Sequence, residues 1–332
     1  MKNLIIRPQG IGDIVLMIPA LRSLRKNYPK DEFVLLCYKG FGSVLPPELG
    51  IRTIEFPRHA GVIDTIKLVK KIRIEKFDRL FDLFGNPRTA VLTVLSGIKE
   101  RFGFNYRFRN LAYNHKYQLQ AKGTHIHQTL LYCNFFKEFG FNCKNCEPEL
   151  KMSSDVVEKA KLAIPEKYSN LKPFIAINPN STFPTRAWPE KNIVDFINLW
   201  YEKNKIPVML TWGPGEEKIS QSIIDKVGEE KAFMHKPVKL NEFVALLSLL
   251  DVFISGDSGP MHMAWAVGAK VIALFGPTTE IDVEPLGDKN ITLVAKEIEC
   301  LRCHKEYCPT KKCMYAISPQ MVLEALERIG SY

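Results

Sequence analysis

The residues best suited to chemistry cluster in Asp251–Thr279, DVFISGDSGPMHMAWAVGAKVIALFGPTT. Val252–Ser255 is a β-branched and aromatic run, Pro260–Val267 suits a helix ended by Gly268, and Lys270–Phe275 is a second apolar strand. That succession predicts a βαβ unit. Gly256-Asp257-Ser258-Gly259 is then the strand-to-helix turn. Asp257 or Ser258 can cap the helix, Pro260 fits its first turn, and Gly259 lets a ligand approach the backbone. Amides and the positive end of the helix dipole suit a phosphate there, and His262 in the first turn can add a donor. The competing reading is a well-capped helix with nothing bound.

A second cluster lies near the start. Leu4–Arg7 reads as a strand, and Pro8-Gln9-Gly10-Ile11-Gly12-Asp13 as a turn into a helix carrying Ile14, Met17, Ile18, Leu21 and Leu24 at helical spacing. Val15 stands where a dinucleotide fingerprint needs its third glycine, which weighs against a nicotinamide cofactor. Pro19 either kinks the helix or marks its true start. Asp13 sits at the helix N-terminus beyond a first strand, where open α/β sheets keep their sites. It can cap the helix or act as a general base.

Other loops add to these two. Pro179–Trp188 holds Ser181, Thr182 and Arg186, and Trp212-Gly213-Pro214-Gly215-Glu216 follows a short strand. Arg186 can neutralise a diphosphate, and a carboxylate at Glu216 can take both hydroxyls of a ribose. Lys99–Arg109, KERFGFNYRFR, interleaves basic and aromatic residues, which suits stacking and phosphate contact, RNA included, or a solvated loop. His125 and His127 have no carboxylate at helical spacing, so they read as structural or acceptor-side residues. Cys300-x2-Cys303-x4-Cys308-x4-Cys313 is either a zinc site or a packed, redox-labile thiol cluster.

The elements that position these residues form two α/β runs. In the first, Phe33–Tyr38, Arg52–Phe56 and Leu80–Leu83 read as strands, with a basic amphipathic helix over Thr65–Lys76. In the second, Phe174–Asn178 and Val208–Thr211 are strands flanking a helix over Pro189–Lys203. Residues 151–172, bounded by prolines, read as a linker. The predicted domains are therefore 1–150 and 173–315, with a helix over Pro319–Ile329 in 316–332 docking back on the first domain. A chain of 332 residues is long for one core, so two domains agree with its length.

The net charge is +10, and residues 1–150 hold 24 Lys/Arg against 13 Asp/Glu while the remainder is nearly balanced. The basic half is expected to face an anionic partner: membrane surface, acidic glycolipid or nucleic acid. No apolar run approaches the ~20 residues of a membrane span, and Met1-Lys2-Asn3 leads straight into the first strand, so a cytoplasmic protein without a signal peptide is expected.

In order along the chain, RPQGIGDIVLMIPALRSLRKNYP, NPNSTFPTRAWPEKN, WGPGEE, DVFISGDSGPMHMAWAVGAKVIALFGPT and the cysteine tail ending CMYAISPQMV resemble the ADP-heptose:lipopolysaccharide heptosyltransferases. The resemblance implies the GT-B fold, two Rossmann-like domains facing across a cleft, with the acceptor on the N-terminal one and the nucleotide-sugar on the C-terminal one. It also implies an inverting enzyme without cofactor or divalent metal. Asp13 would be the catalytic base. Asp257, Ser258, Gly259 and His262 would hold the ADP diphosphate with Ser181, Thr182 and Arg186, the last standing where the family commonly has lysine. Glu216, or Glu217, would bind the ribose. Gly10, Gly12, Lys99, Arg101, Arg107 and Arg109 would face an anionic lipopolysaccharide precursor at the inner face of the inner membrane. A related enzyme using another nucleotide-sugar is the nearest rival. A nucleic-acid-binding protein is the rival from another class, though it leaves the converging loops unexplained.

Overall fold

The computed structural model describes residues 1–119, 124–144, 147–295 and 297–330. The chain divides into two compact units, Met1–Pro148 and Glu149–Tyr332.

The first unit runs β1 (Lys2–Ile6), α1 (Ile11–Asn27), β2 (Glu32–Tyr38), β3 (Arg52–Phe56), α2 (Val62–Glu75), β4 (Arg79–Asp82), α3 (Pro87–Ser96), β5 (Glu100–Phe104), β6 (His115–Tyr117) and α4 (Gln128–Glu138). Its strands form one parallel sheet in the order β3-β2-β1-β4-β5-β6. The chain winds outward one way from β1 and the other way from β4. Right-handed crossovers then set α1 and α4 on one face and α2 and α3 on the other. Helices on both faces explain why the central strands are continuous apolar runs and not alternating ones. Beneath α2 and α3, Leu4, Ile6, Val34 and Leu36 pack on Leu68, Ile72 and Leu92. On the other face aromatic rings fill the layer: Phe81 stacks on Phe102 at 4.7 Å and meets Phe136 at 5.2 Å.

Two expectations change here. α1 runs unbroken through Pro19, which lies buried within it. The Lys99–Arg109 segment is not an open stacking platform, because β5 passes through it and buries Phe102 and Phe104 in the core.

The second unit runs α5 (Ser154–Lys161), β7 (Ile175–Asn178), α6 (Glu190–Asn204), β8 (Val208–Leu210), α7 (Glu217–Val227), β9 (Ala232–Met234), α8 (Leu240–Leu247), β10 (Val252–Gly256), α9 (Gly259–Ala266), β11 (Lys270–Phe275), β12 (Ile291–Val294), α10 (Lys312–Tyr315) and α11 (Pro319–Ile329). The sheet is again parallel, in the order β12-β11-β10-β7-β8-β9. Its reversal of direction lies between β7 and β10.

The expected linker is corrected. Residues 151–172 belong to the second unit: α5 packs on α8, Leu150 N–H donates to Ala266 O at 2.8 Å, and Tyr168 Oη donates to Glu229 O at 2.8 Å. The docking expected of 316–332 is also corrected. Val322, Leu323 and Leu326 on α11 are part of the second unit's own core, beside Trp200 and Ile272. An amphipathic helix needs one apolar partner, and α6 with β11 supplies it. Residues 331–332 lie outside the described residues.

Candidate functional site

In a doubly wound sheet the two strands at the point of reversal send their following loops apart, and a crevice opens at their carboxyl ends. In the first unit those strands are β1 and β4. Arg7 leaves the end of β1, and Asp13 enters the first turn of α1. Arg7 Nη2 pairs with Asp13 Oδ1 at 2.7 Å, and Tyr132 Oη on α4 donates to the same oxygen at 3.4 Å. Arg7 Nη1 is also tied to Leu83 O at 3.3 Å, and the guanidinium lies over Phe84 at 4.9 Å. Burial by itself pulls the Arg7 pKa down, but Tyr132, Asp13 and Asp82 outweigh it and hold it up. The cation is therefore permanent, and it fixes where the Asp13 carboxylate points.

Asp82, in register with Ile6 of β1, ends β4 fully buried. It accepts Tyr113 Oη at 2.7 Å and the N–H groups of Phe84 and Gly85 at 3.0 and 2.9 Å. Burial raises its pKa despite these donors. Three donors are what a buried carboxyl needs to avoid a large desolvation cost. Asp82 thus props the Phe84–Gly85 loop on which Arg7 rests, whereas Asp13 keeps its carboxylate 29% exposed and can reach a ligand.

Gly10 has a more specific task than general closeness to an acceptor. It precedes α1 at φ +84°, and a Cβ there would stand 1.9 Å from Asp13 Oδ2. Gly12 is buried within the first turn.

In the second unit the reversal lies between β7 and β10, so Asn178–Arg186 and Gly256–Gly259 meet at one edge. Gly256 is required by packing: a Cβ would come within 2.1 Å of Arg186 O. Arg186 Nη1 donates to Asp257 Oδ2 at 2.9 Å, and its guanidinium lies over Phe183 at 4.5 Å. Asp257 is only 7% exposed, and its other oxygen is 4.0 Å from His262 Nε2. Asp257, expected at the diphosphate, can act there through the cation that it holds. A carboxylate repels a phosphate, and this one orients Arg186, which attracts one. His262 is buried behind the same turn.

Neither Asp257 nor Ser258 caps α9 through its side chain. Ser258 Oγ turns instead to Ser255 Oγ at 2.9 Å and receives Asn178 Nδ2 at 3.2 Å. The leading amides of α9, starting at Gly259, are thus not covered by the capping side chain, which suits an anion. Ser181 Oγ donates to Asp257 O at 3.4 Å, while Thr182 is exposed on the same loop. Beyond β8, Glu216 Oε2 accepts the Gly213 N–H at 2.9 Å. Beside it the half-buried Trp212 stacks on His235 at 5.4 Å and donates Nε1 to His235 O at 3.0 Å, leaving a fixed aromatic wall. Glu217 is exposed in the first turn of α7.

Two of the expected acceptor-side residues are corrected. Lys99 precedes β5 and Arg101 is its second residue, at the amino edge of the sheet and not at the carboxyl edge where Asp13 lies. Arg101 donates Nε to Ala112 O at 2.8 Å and Nη1 to Ile98 O at 2.7 Å, so it braces backbone. Arg107 and Arg109 do follow the carboxyl end of β5. Arg109 donates to Gly85 O at 2.8 Å and lies over Tyr106 at 4.4 Å, next to the Arg7 loop, while Arg107 is exposed.

The cysteine tail also reaches the carboxyl edge of its sheet. Arg302 N–H donates to Gly276 O at 2.9 Å, His304 N–H to Pro277 O at 2.7 Å, and Thr185 Oγ1 to Lys305 O at 2.8 Å. Arg302 further pairs with the buried Glu280. The tail therefore straps the loops after β7 and β11. Among the described residues no three His, Cys, Asp or Glu side chains converge as a metal-holding group.

Arg7, Asp82, Tyr132, Asn178 and Trp212 escaped the reading of the sequence. A usable signal existed for two of them, since a charged residue ending an apolar strand marks Arg7 and Asp82. Tyr132 reaches Asp13 only through the packing of α4 on α1.

Comparison with known proteins shows the family and the fold. The family model described as glycosyltransferase family 9 (heptosyltransferase) matches residues 65–314. Lipooligosaccharide heptosyltransferase 2 of Campylobacter jejuni is 24% identical, over 100% of both chains. The structure of Escherichia coli ADP-heptose lps heptosyltransferase II superposes with a TM-score of 0.79 at 19% identity, covering 99% of this chain and 98% of that one. Escherichia coli heptosyltransferase WaaC with ADP-2-deoxy-2-fluoro heptose does so with a TM-score of 0.74 at 18% identity, covering 99% and 100%. The chain thus has the fold of these enzymes, the GT-B architecture of two parallel-sheet α/β domains.

Proposed function

The chain belongs to glycosyltransferase family 9, and from that footing we propose that it transfers heptose from ADP-heptose to the inner core of a lipopolysaccharide precursor, with inversion and without a divalent metal. One observation carries the reading: each sheet offers one half of a transfer reaction at its point of reversal. The first offers a carboxylate held by Arg7 at 2.7 Å. The second offers helix amides together with an arginine held by Asp257 at 2.9 Å.

In the proposed reaction Asp13 accepts the proton of the acceptor hydroxyl as that oxygen attacks the anomeric carbon. The bond from that carbon to the β-phosphate oxygen breaks on the opposite face, and ADP departs. Positioned proton transfer of this kind is worth ~10²–10⁴-fold. Arg7 and Tyr132 orient Asp13 without touching substrate. The departing diphosphate gains negative charge, which Arg186 and the leading amides of α9 are disposed to meet. Ser181 and Thr182 would add hydroxyl donors, Glu216 would take the ribose hydroxyls, and Trp212 offers the adenine a flat apolar wall. Gly259 keeps the backbone open to the phosphate. On the acceptor side, Arg107 and Arg109 would meet the carboxylates and phosphates of the inner core, close to Asp13. The enzyme would work in the cytoplasm at the inner-membrane surface, with no nucleic-acid partner.

The test is direct. Purified protein is given ADP-heptose, UDP-sugars and GDP-sugars in parallel, each with an acyl-free inner-core acceptor. Transfer from ADP-heptose alone is expected, whereas turnover of another nucleotide-sugar in its place would overturn the donor assignment.

A further inference from the structure

The outer surface of α2, α3 and the turn Arg109–Ala112 is unusually apolar for an exposed face. Arg88 Nη2 donates to Ala60 O and Arg73 Nε to Leu95 O, each at 2.9 Å, so α2 and α3 lie side by side in parallel. Their inward residues fill the core, while Ile63 and Ile66 on α2 and Val91 and Val94 on α3 point to solvent. Phe108 and Leu111, 72% and 79% exposed, stand beyond α3. Between α3 and these two residues runs a groove of about 620 Å³, whose lining includes Pro87, Val91, Val94, Arg107, Phe108 and Leu111. An exposed apolar groove of this kind, with further apolar residues on the neighbouring helix, marks a binding surface.

The charge around the patch that no partner engages is of one sign. Lys67, Lys70 and Lys71 are exposed on α2 and make no ion pair among the described residues, and Arg107 is exposed at the groove. The two acidic residues of α2 are engaged elsewhere: Asp64 accepts the Gly61 N–H at 3.0 Å, and Glu75 pairs with Lys2 and Arg52. Neither α3 nor Arg107–Ala112 carries an acid. Protein–protein interfaces are depleted in lysine, whereas an apolar face flanked by long basic side chains suits a lipid headgroup region. There the aliphatic residues enter the acyl boundary, and the lysines extend to anionic headgroups.

We infer that the α2–α3 face of the first unit docks this enzyme on an anionic lipid bilayer. The inference rests on the glycolipid acceptor proposed above. It also gives the face a use, because the groove begins at Pro87 and Arg109, beside the Gly85 loop that supports Arg7 and Asp13.

Co-sedimentation with vesicles tests it. Wild-type protein should bind phosphatidylcholine vesicles containing phosphatidylglycerol, bind pure phosphatidylcholine far less, and dissociate as salt is raised. The triple variant Lys67→Glu/Lys70→Glu/Lys71→Glu should bind ~100-fold more weakly. Phe108→Ser/Leu111→Ser should bind roughly tenfold more weakly with its charge unchanged. Both variants should transfer sugar to the acyl-free acceptor at the wild-type rate, which also establishes that they fold. No vesicle binding by the wild type, or binding indifferent to both variants, overturns the inference. So does a concentration-dependent dimer of the wild type that Phe108→Ser/Leu111→Ser dissolves, because the face would then belong to a second copy of the chain. Vesicle binding without heptose transfer would leave the docking face standing and defeat the functional reading, and transfer without vesicle binding would do the reverse.

Discussion

Replacing Gly10 with alanine should impair catalysis while sparing donor binding. Gly10 adopts φ +84°, a left-handed conformation that costs an alanine roughly 1–2 kcal/mol. Its new Cβ would stand 1.9 Å from Asp13 Oδ2. Cβ contacts essentially never fall under 3.0 Å, so the carboxylate must retreat by about 1 Å or more. Displacing a reacting group that far costs on the order of 10²-fold in rate, or about 2.7 kcal/mol of barrier. The turn proposed to bind the diphosphate belongs to the other sheet, so the affinity for ADP should be unaltered. Steady-state transfer to the acyl-free acceptor gives kcat, titration calorimetry gives the ADP Kd, and thermal unfolding should fall by only a few degrees. A kcat within about threefold of wild type, in a folded protein, would refute the claim that the Asp13 position governs the chemistry.

Arg186→Ala should raise the Kd for ADP by ~10–100-fold in calorimetry, the loss of a charge-assisted contact; an unchanged Kd would remove Arg186 from the diphosphate site. Arg101→Ala should leave the acceptor KM unchanged and cost about 1–3 kcal/mol of stability, because two backbone carbonyls lose their donor. A raised KM with unchanged stability would restore Arg101 to the acceptor side. Hydrogen bonds from Arg52 and then Lys2 hold Glu75 down at about 2, against an ordinary 4.5. A depressed carboxylate pKa stabilises the fold above the unfolded-state value, and the benefit is lost as pH falls through the folded-state one. The Tm gap between wild type and Glu75→Gln should therefore be present at neutral pH and close between pH 4.5 and about 2. A gap that widens over that interval would contradict the network's role.

Much of the architecture was legible because the central strands are buried on two faces and read as apolar runs, while the edge strand Arg52–Phe56 alternates buried and exposed residues near its end. Lys270–Phe275 and Arg52–Phe56 form strands over the residues expected, and Pro319–Ile329 forms the final helix. Short elements were harder. Ala232–Met234 is a three-residue strand whose existence depends on β8 beside it, and Leu240–Leu247 is only about two turns long and ends in five consecutive apolar residues, so neither shows a clear period. The turns at Asp13 and Asp257 were visible because glycine and a helix-capping residue type beside an apolar strand form a local pattern. What those carboxylates touch was not visible, since Arg7–Asp13 needs the turn geometry and Arg186–Asp257 spans 71 positions. Lys99 and Arg101 misled for a definite reason. Composition reports charge but not which end of a strand carries it, and only the register of β5 on β4 sets Arg101 at the amino edge.

The central claim is that Asp13 is the base of a metal-independent transfer. The most direct measurement compares wild type with Asp13→Asn, an isosteric change, using ADP-heptose and the acyl-free acceptor with EDTA present throughout. Wild type should turn over at the same rate with or without the chelator, and the variant should lose ~10²–10⁴-fold in kcat while binding ADP normally. A variant within about tenfold of wild type, or a wild type silenced by EDTA and restored by a divalent ion, would contradict it.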